Sequence, residues 1–368
     1  MVKFVINIPK TNDLKKLLSI AIDEYTTVLV TRTSCYFILN SSELYMHKAF
    51  PLLTSENIEE GLSFRVNRKQ LNNMLIDGFI EFLIDDEDIS LNFKNKENKL
   101  KYSMTVVNQK GYDELIFRKM RLIASCQDYE MIDLNSIRRL IRVATNLGLA
   151  IGVDSGYAYA MSRTFSCFKK CNLPGFSASS KSLLMLLKFS NTVYNVQNYL
   201  IHDFEGEAVV ITKHKYAPSF DIAFALKQKS SHRVELKINN ILELCAKVDK
   251  SDGTFILDVE HKKAIFEKEK VKYSTPLDIL DIKSARQVKK DKEDTSIEDL
   301  LDKIDLNNDA IDMSYSLHLT PKVEVPTIVL TRLIPALGLK EMATISYKKT
   351  FMQVENANTY VIFPRKEV

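Results

Sequence analysis

A pattern of strand, short amphipathic helix and further strands recurs six times along this 368-residue chain. That recurrence limits the possible folds more than any single motif. It is plainest between Val323 and Val368. There VEVPTIVLTRLIPALGLKEM has apolar residues at helical spacing and predicts one helix, with Pro326 in its first turn, where a missing N–H costs little, and Gly338 closing it. Two alternating runs, ATISYKKTFMQVEN and NTYVIFPRKEV, predict two antiparallel strands after it.

The same pattern predicts five earlier helices. One follows Thr11 or Asn12, with Leu14, Leu17, Leu18 and Ala21 inward. A second has Val66, Leu71, Met74 and Leu75 inward and Arg68, Lys69, Asn72 and Asn73 outward. A third is capped by Asp133 and buries Leu134, Ile137, Leu140, Ile141 and Ala144. A fourth buries Leu183, Leu184, Leu186 and Leu187, and a fifth Ile238, Ile241, Leu242 and Cys245. The runs between them read as strands, SFDIAFALKQ among them. The copies share a pattern, not identical residues, at a spacing of roughly 50 to 60 residues, which is within the range of repeat architectures. Units of that size group as three domains of about 120 residues. The expectation is an α+β chain of three tandem domains, 1–125, 126–229 and 230–368. Each domain has two helix-plus-strands units, with antiparallel sheets in an outer layer and helices in a second.

The charged stretch 283–313 breaks the rhythm by roughly 30 residues and reads as a surface insertion. Within it SIEDLLDKIDL predicts a short helix, with Ser296 and Asp299 as a partial capping box and Ile297, Leu300, Leu301 and Ile304 on one face. Such a helix either docks on the protein's own surface or recruits a partner.

Composition bounds the function. With 45% apolar and 27% charged residues the chain is an ordinary globular one. The 51 basic and 47 acidic side chains give a net charge of only +4, so a nucleic-acid footprint must come from where the charges sit. The five cysteines are scattered, and neither a second pair nor a His pair stands at zinc-finger spacing. Reduced, buried thiols are expected. No stretch reads as a leader or reaches the roughly 20 apolar residues that span a bilayer, so the expected setting is the cytoplasm.

Signals of catalysis are poor. Asp85, Asp86, Glu87 and Asp88 read as a hairpin turn between strands. DLNNDAID lacks the glycine and the closing glutamate of a calcium loop. His202 beside Asp203 resembles half of a metal phosphohydrolase dyad, without the further His/Asp cluster such a site needs. A nuclease built on that pair is the weakest of the readings. There is no P-loop, no G-x-G-x-x-G and no G-x-S-x-G. The expectation is no enzyme, no cofactor and no metal.

The helices carry a different signal. On one helix, exposed lysines and arginines are ordinary solvation. On six helices of a repeated module, with Glu243 the acidic exception, they form a surface suited to phosphate contact without base readout.

Four stretches resemble the bacterial-type DNA sliding clamp, the beta subunit of replicative polymerases. They are GLSFRVNRKQLNNMLIDGFIEFLIDDEDISLNF, YEMIDLNSIRRLIRVATN, FSASSKSLLMLLKFSNTVYNVQ and the closing VEVPTIVLTRLIPALGLKEMATISYKKTFMQVENANTYVIFPRKEV. Their order and spacing carry the likeness across nearly the whole chain. The resemblance implies a homodimeric ring with helices facing a central hole that holds double-stranded DNA. It carries that lining role to Lys15, Lys16, Arg68, Lys69, Arg138, Arg139, Arg142, Lys181, Lys188, Lys237, Lys247 and Arg332. It also implies an apolar cleft for short linear motifs of DNA polymerase and clamp loader, with Val361, Phe363 and Pro364 on one wall, Pro218 and Ile222 on another, and Phe165 and Cys167 beside them. The Thr-Asp-Gly-His-Arg-Leu stretch of typical clamps is replaced here by AMSRTFSCF, which bears on peptide specificity and not on the fold. A Lys- and Asn-rich, slightly basic composition departs from the usual acidic clamp and suggests a bacteriophage's own copy. The alternative function is a clamp-like adaptor in transcription or assembly that does not encircle DNA.

Overall fold

A computed structural model describes residues 2–20, 23–56, 62–84, 88–94, 99–105, 107–108, 114–215, 222–248, 254–268, 271–284, 320, 322–338 and 341–368. The expected helix within 296–306, the acidic residues 85–87 and Pro218 lie outside these residues. The chain is α+β and divides into two compact units. One is Met1–Asn135 with Ser182–His214, the other Ser136–Lys181 with Lys215–Val368.

In the first unit one antiparallel sheet runs through the strands 131–133, 192–196, 199–204, 207–212, 44–56, 2–8, 78–84, 88–94 and 99–105. The 13-residue strand Leu44–Glu56 is its hinge. On one edge, Leu44–Lys48 pair with Glu207–Ile211 and Leu52–Glu56 with Lys3–Ile6; on the other, Tyr45–Pro51 pair with Ser34–Asn40. Alternating apolar residues bury one face, and Phe4 stacks on its cross-strand partner Phe82 with ring centroids 4.5 Å apart.

Three helices lie on this sheet. In α1 (Thr11–Leu18) the buried side chains are Thr11, Leu14, Leu17 and Leu18, as the 3.6-residue period demands. Its first N–H is held from afar, Thr11 N donating to Asp77 Oδ1 at 2.7 Å; that hydrogen bond is the main reason the Asp77 carboxyl lies below its ordinary pKa. In α2 (Arg68–Met74) Asn67 is the cap, its side chain accepting from Gln70 N at 3.0 Å. No helix is expected from the sequence at 114–124, yet ELIFRKMRLIA forms α3 (Glu114–Ala124), burying Ile116, Lys119 and Ile123 at spacings of three and four.

The second unit holds two antiparallel sheets. The larger runs 176–179, 150–154, 157–161, 166–170, 359–364, 351–356, 342–347, 232–237 and 278–284; the smaller runs 271–276, 263–268, 254–258, 323–325 and 366–367. Here α4 (Arg138–Leu147) is entered through a single 3-10 turn. Asp133 Oδ1 accepts from Asn135 N at 2.8 Å, and Gly148 at φ 68° ends the helix. The chain passes between the units within α5 (Ser180–Leu186).

Two expectations are corrected in this unit. SFDIAFALKQ alternates like a strand, but its described part forms the helix α6 (Ile222–Lys227), because Ile222, Ala225 and Leu226 share one helical face. After α7 (Asn239–Lys247), the closing helix is not uniform: Val323–Val325 is a strand, and α8 is a π-helical segment, Val329–Leu333, continued by Ile334–Leu337. Pro335 has no N–H for the carbonyl four residues back, and the wider turn before it absorbs that loss. Gly338 ends α8 at φ 80°.

Candidate nucleic-acid interface and partner groove

Most of the basic residues fall on helices whose apolar sides the sheets bury; Lys237, expected on the fifth helix, instead ends the strand His232–Lys237, and Lys188 lies in the turn just after α5. In the first unit α1 and α2 are neighbours. Lys15 and Lys16 are half-exposed and Lys69 is exposed; Lys16 Nζ sits 4.0 Å from the centre of the Phe189 ring. Arg68 corrects the outward face expected of α2: it is 8% exposed. Its guanidinium turns back to donate to Leu18 O, at the open end of α1, and to Asp23 O at 2.9 Å. Leu18 is the last residue of α1, so Arg68 supplies a donor at that helix end and ties it to the chain at Asp23 instead of facing solvent. Lys181 and Lys188, at either end of α5, are both exposed.

In the second unit α4 touches α8, and α8 touches α7. Arg139, Arg142, Arg332, Lys237 and Lys247 are exposed, while Arg138 is half-buried, its Nε without a hydrogen-bond partner. Arg139 is partly spoken for, since its guanidinium lies where a side chain on Gly338 would be. Lys237 is 3.5 Å from Asp278 Oδ2, an exposed pair worth little. Among the described residues Lys69, Arg142, Lys181, Lys188, Lys247 and Arg332 have no carboxylate partner, so their charge is available to an outside anion.

Of the residues expected at a peptide cleft, those described fall on both sides of one sheet and not around one opening. Cys167 and Val361 stand opposite each other where Ser166–Lys169 pair with Thr359–Ile362, so their side chains share one face of the sheet. Both are fully buried, as are Phe363 and Phe165. Burial pushes the Cys167 thiol up to about 12, which makes it a packing residue and not a nucleophile. Ile222 is on the reverse face, packed with Tyr159, Phe168 and Ile362; Pro364 is exposed at the strand end. What opens to solvent around that reverse-face cluster is Tyr157, Met161, Leu226, Phe351 and Tyr360, each only partly buried.

This partly exposed apolar patch was not read from the sequence, although part of its signal is there. Strand alternation puts Phe168 and Tyr360 on one face, and the pairing register Phe168↔Tyr360 confirms it. The other wall depends on α6 being a helix. Tyr157 and Tyr360 meet edge-to-face at 6.2 Å, Lys170 stands opposite Tyr157, and Arg163 and Lys227 are exposed at the margins. An apolar patch with exposed cations near it in the chain suits an acidic peptide carrying leucine or aromatic side chains.

His202 does not gather a catalytic site. Its Nε2 is 3.8 Å from Glu207 Oε1 across the strand pair, and burial raises the Asp203 carboxyl. Among the described residues no three His, Cys, Asp or Glu side chains are grouped to hold a metal ion, and no helix is long and apolar enough to cross a membrane.

Neither a protein-family model nor a curated protein matches the sequence. Solved structures do. The DNA polymerase sliding clamp of Bacillus subtilis superposes with a TM-score of 0.66 at 9% identity, covering 100% of this chain and 99% of that one. The DNA polymerase III beta chain of Streptococcus pneumoniae gives 0.63 at 12% identity, with 100% of each chain covered. The Helicobacter pylori beta clamp bound to a DNA ligase peptide gives 0.58 at 11%, with 99% of each covered. At such identities a likeness speaks for architecture: over its full length, this chain has the fold of the bacterial DNA polymerase III beta sliding clamp.

Proposed function

We propose that the chain is a DNA sliding clamp, a non-catalytic processivity factor that encircles duplex DNA and tethers replication proteins. The observation that carries this reading is the coincidence of a full-length clamp fold with six exposed cations on or beside its helices, Lys69, Arg142, Lys181, Lys188, Lys247 and Arg332, that have no carboxylate partner among the described residues. In this reading the three domains 1–125, 126–229 and 230–368 pair head to tail with a second copy, a heterologous contact that closes a ring. The helices face the hole, Arg68 excepted, and bind phosphates without reading bases. Polymerase and clamp loader dock by short peptides in the groove of Tyr157, Met161, Leu226, Phe351 and Tyr360, and the protein works in the cytoplasm of a bacterial or phage-infected cell.

A topological experiment tests encirclement. Protein retained on nicked circular DNA through gel filtration should be lost when the circle is cut, because a ring slides off an end. Equal retention on both forms, or a monomeric mass at micromolar concentration, would favour the adaptor that does not encircle DNA. Arg142→Glu with Arg332→Glu, both at exposed positions, should weaken retention and lower the log–log salt slope by about 2, roughly 0.9 per lost phosphate contact. For the groove, Tyr157→Ala with Tyr360→Ala should weaken binding of a labelled peptide with two leucines and a phenylalanine between acidic residues at least tenfold, leaving retention on circles intact.

A further inference from the structure

Lys348 is only 4% exposed, although it carries a cation. It begins the turn between the strands Met342–Tyr347 and Phe351–Asn356. Its Nζ donates to Gln228 O and, at 3.5 Å, to Leu226 O, carbonyls at the C-terminal end of α6. Those carbonyls have no helical N–H to accept from, so the ammonium completes the helix end. The turn itself is held from several sides. Lys348 N donates to Phe351 O at 3.0 Å, Arg365 Nη1 donates to Lys348 O at 2.8 Å, and Ser231 N donates to Tyr347 O at 2.7 Å. Burial pulls the Lys348 ammonium below its ordinary pKa, with Glu355 opposing and Arg233 assisting.

A six-residue helix does not hold itself in water. Its buried side chains among the described residues are Ile222 and Ala225, a small anchor. Leu226, which packs beside Phe168 and Ile362, is half-exposed. We propose that Lys348 is a positioning residue for the partner groove: it pins the C-terminal end of α6 to the sheet and so fixes the wall that Leu226 contributes. The inference rests on reading that groove as the peptide site.

Lys348→Met keeps the stem and removes the donors. Amides of 222–231 should then exchange hydrogen at least tenfold faster. The labelled acidic leucine–phenylalanine peptide should bind at least tenfold more weakly, while dimer mass and retention on circular DNA stay unchanged. Lys348→Gln, which keeps a neutral amide donor group, serves if the Met variant does not fold. Unchanged exchange in the variant would overturn the pin. Faster exchange with unchanged peptide affinity would overturn the positioning role. Should the wild type bind the peptide no better than a scrambled one while exchange still responds, the pin stands and the groove's peptide role falls.

Discussion

Each unit joins strands from distant parts of the chain edge to edge and lays a helix over the join, but the two joins are finished differently. In the first, Glu207–Ile211 meet Leu44–Lys48 under α3, whose Ile116 and Ile123 pack with Tyr45, Val196, Ile201 and Val210 in a core of ten buried residues, with Tyr36, Phe117, Met120, Leu122, Tyr194 and Tyr199 partly buried around it. In the second, Ser166–Lys169 meet Thr359–Ile362 under α6, and the apolar cluster there has only four buried residues, with Tyr157, Met161, Leu226, Phe351 and Tyr360 partly buried around it. The covering helices have 11 and 6 residues, about three turns against fewer than two. A short cover buries fewer apolar residues, so a larger share of its cluster remains partly exposed.

Truncating the two covers is the largest test of that contrast. Ile116→Ala empties a buried position in the larger core and should cost about 2–5 kcal/mol, on the order of other Ile→Ala core changes. Leu226→Ala removes a half-exposed side chain and should cost about 1 kcal/mol. Urea midpoints report both, and equal losses would mean that the second join is as well buried as the first.

The sequence showed the repeats better than the joins. Alternation and helical stripes placed most strands and the core faces of α1, α4 and α7 because those periods are local. Both covering helices escaped it. In α3 a lysine occupies a buried position: Lys119 is 4% exposed and donates to Asn40 Oδ1 at 2.9 Å, a partner 79 residues away. In α6 the described residues IAFALK alternate about as well as they helicise, and a strand at 166–170 decides which face is wanted. Arg68 failed for a like reason, since the carbonyl it completes is 50 residues earlier. The groove inherits these misses, for half its wall is α6.

Acid separates the joins next. His47, paired with Ala208 in the first join, is 5% exposed, with Nδ1 2.9 Å from Tyr45 Oη and the Tyr36 ring edge-on. Burial, assisted by the Lys48 charge, lowers its pKa to about 4. The folded state therefore stays unprotonated where the unfolded state, near 6.5, already binds a proton. Stability contributed by the neutral ring is full above about pH 6.5 and lost as pH falls toward 4, about 3 kcal/mol in all. His232, beside the turn that holds α6, is half-exposed and lowered by burial and then by Arg365. Between pH 7 and 5 the protection of amide hydrogens, after correction for the intrinsic slowing of exchange in acid, should therefore fall more at Glu207–Thr212 than at Thr359–Pro364. His47→Phe should remove the difference, and a loss of protection that survives it would place the titrating group elsewhere.

The smallest contrast is in the turns. Glu205–Gly206 leads into the first join and Ser155–Gly156 into the strand beside the second; all four residues have positive φ. Each glycine carbonyl accepts an N–H from a neighbouring strand end, Gly206 from Ala49 at 2.7 Å and Gly156 from Cys171 at 2.9 Å. Alanine at φ +81 in place of Gly156 would have its Cβ 3.8 Å from Cys171 O, so only the left-handed backbone resists, at about 1 kcal/mol. At Gly206 the added Cβ would also press on Ala49 O at 3.2 Å, on a strand already fixed by α3 and His47. Gly206→Ala should therefore lower the urea midpoint more than Gly156→Ala. Parity would mean that the strand Leu44–Glu56 yields as easily as the second join, and that the larger core under α3 does not make the first join stiff.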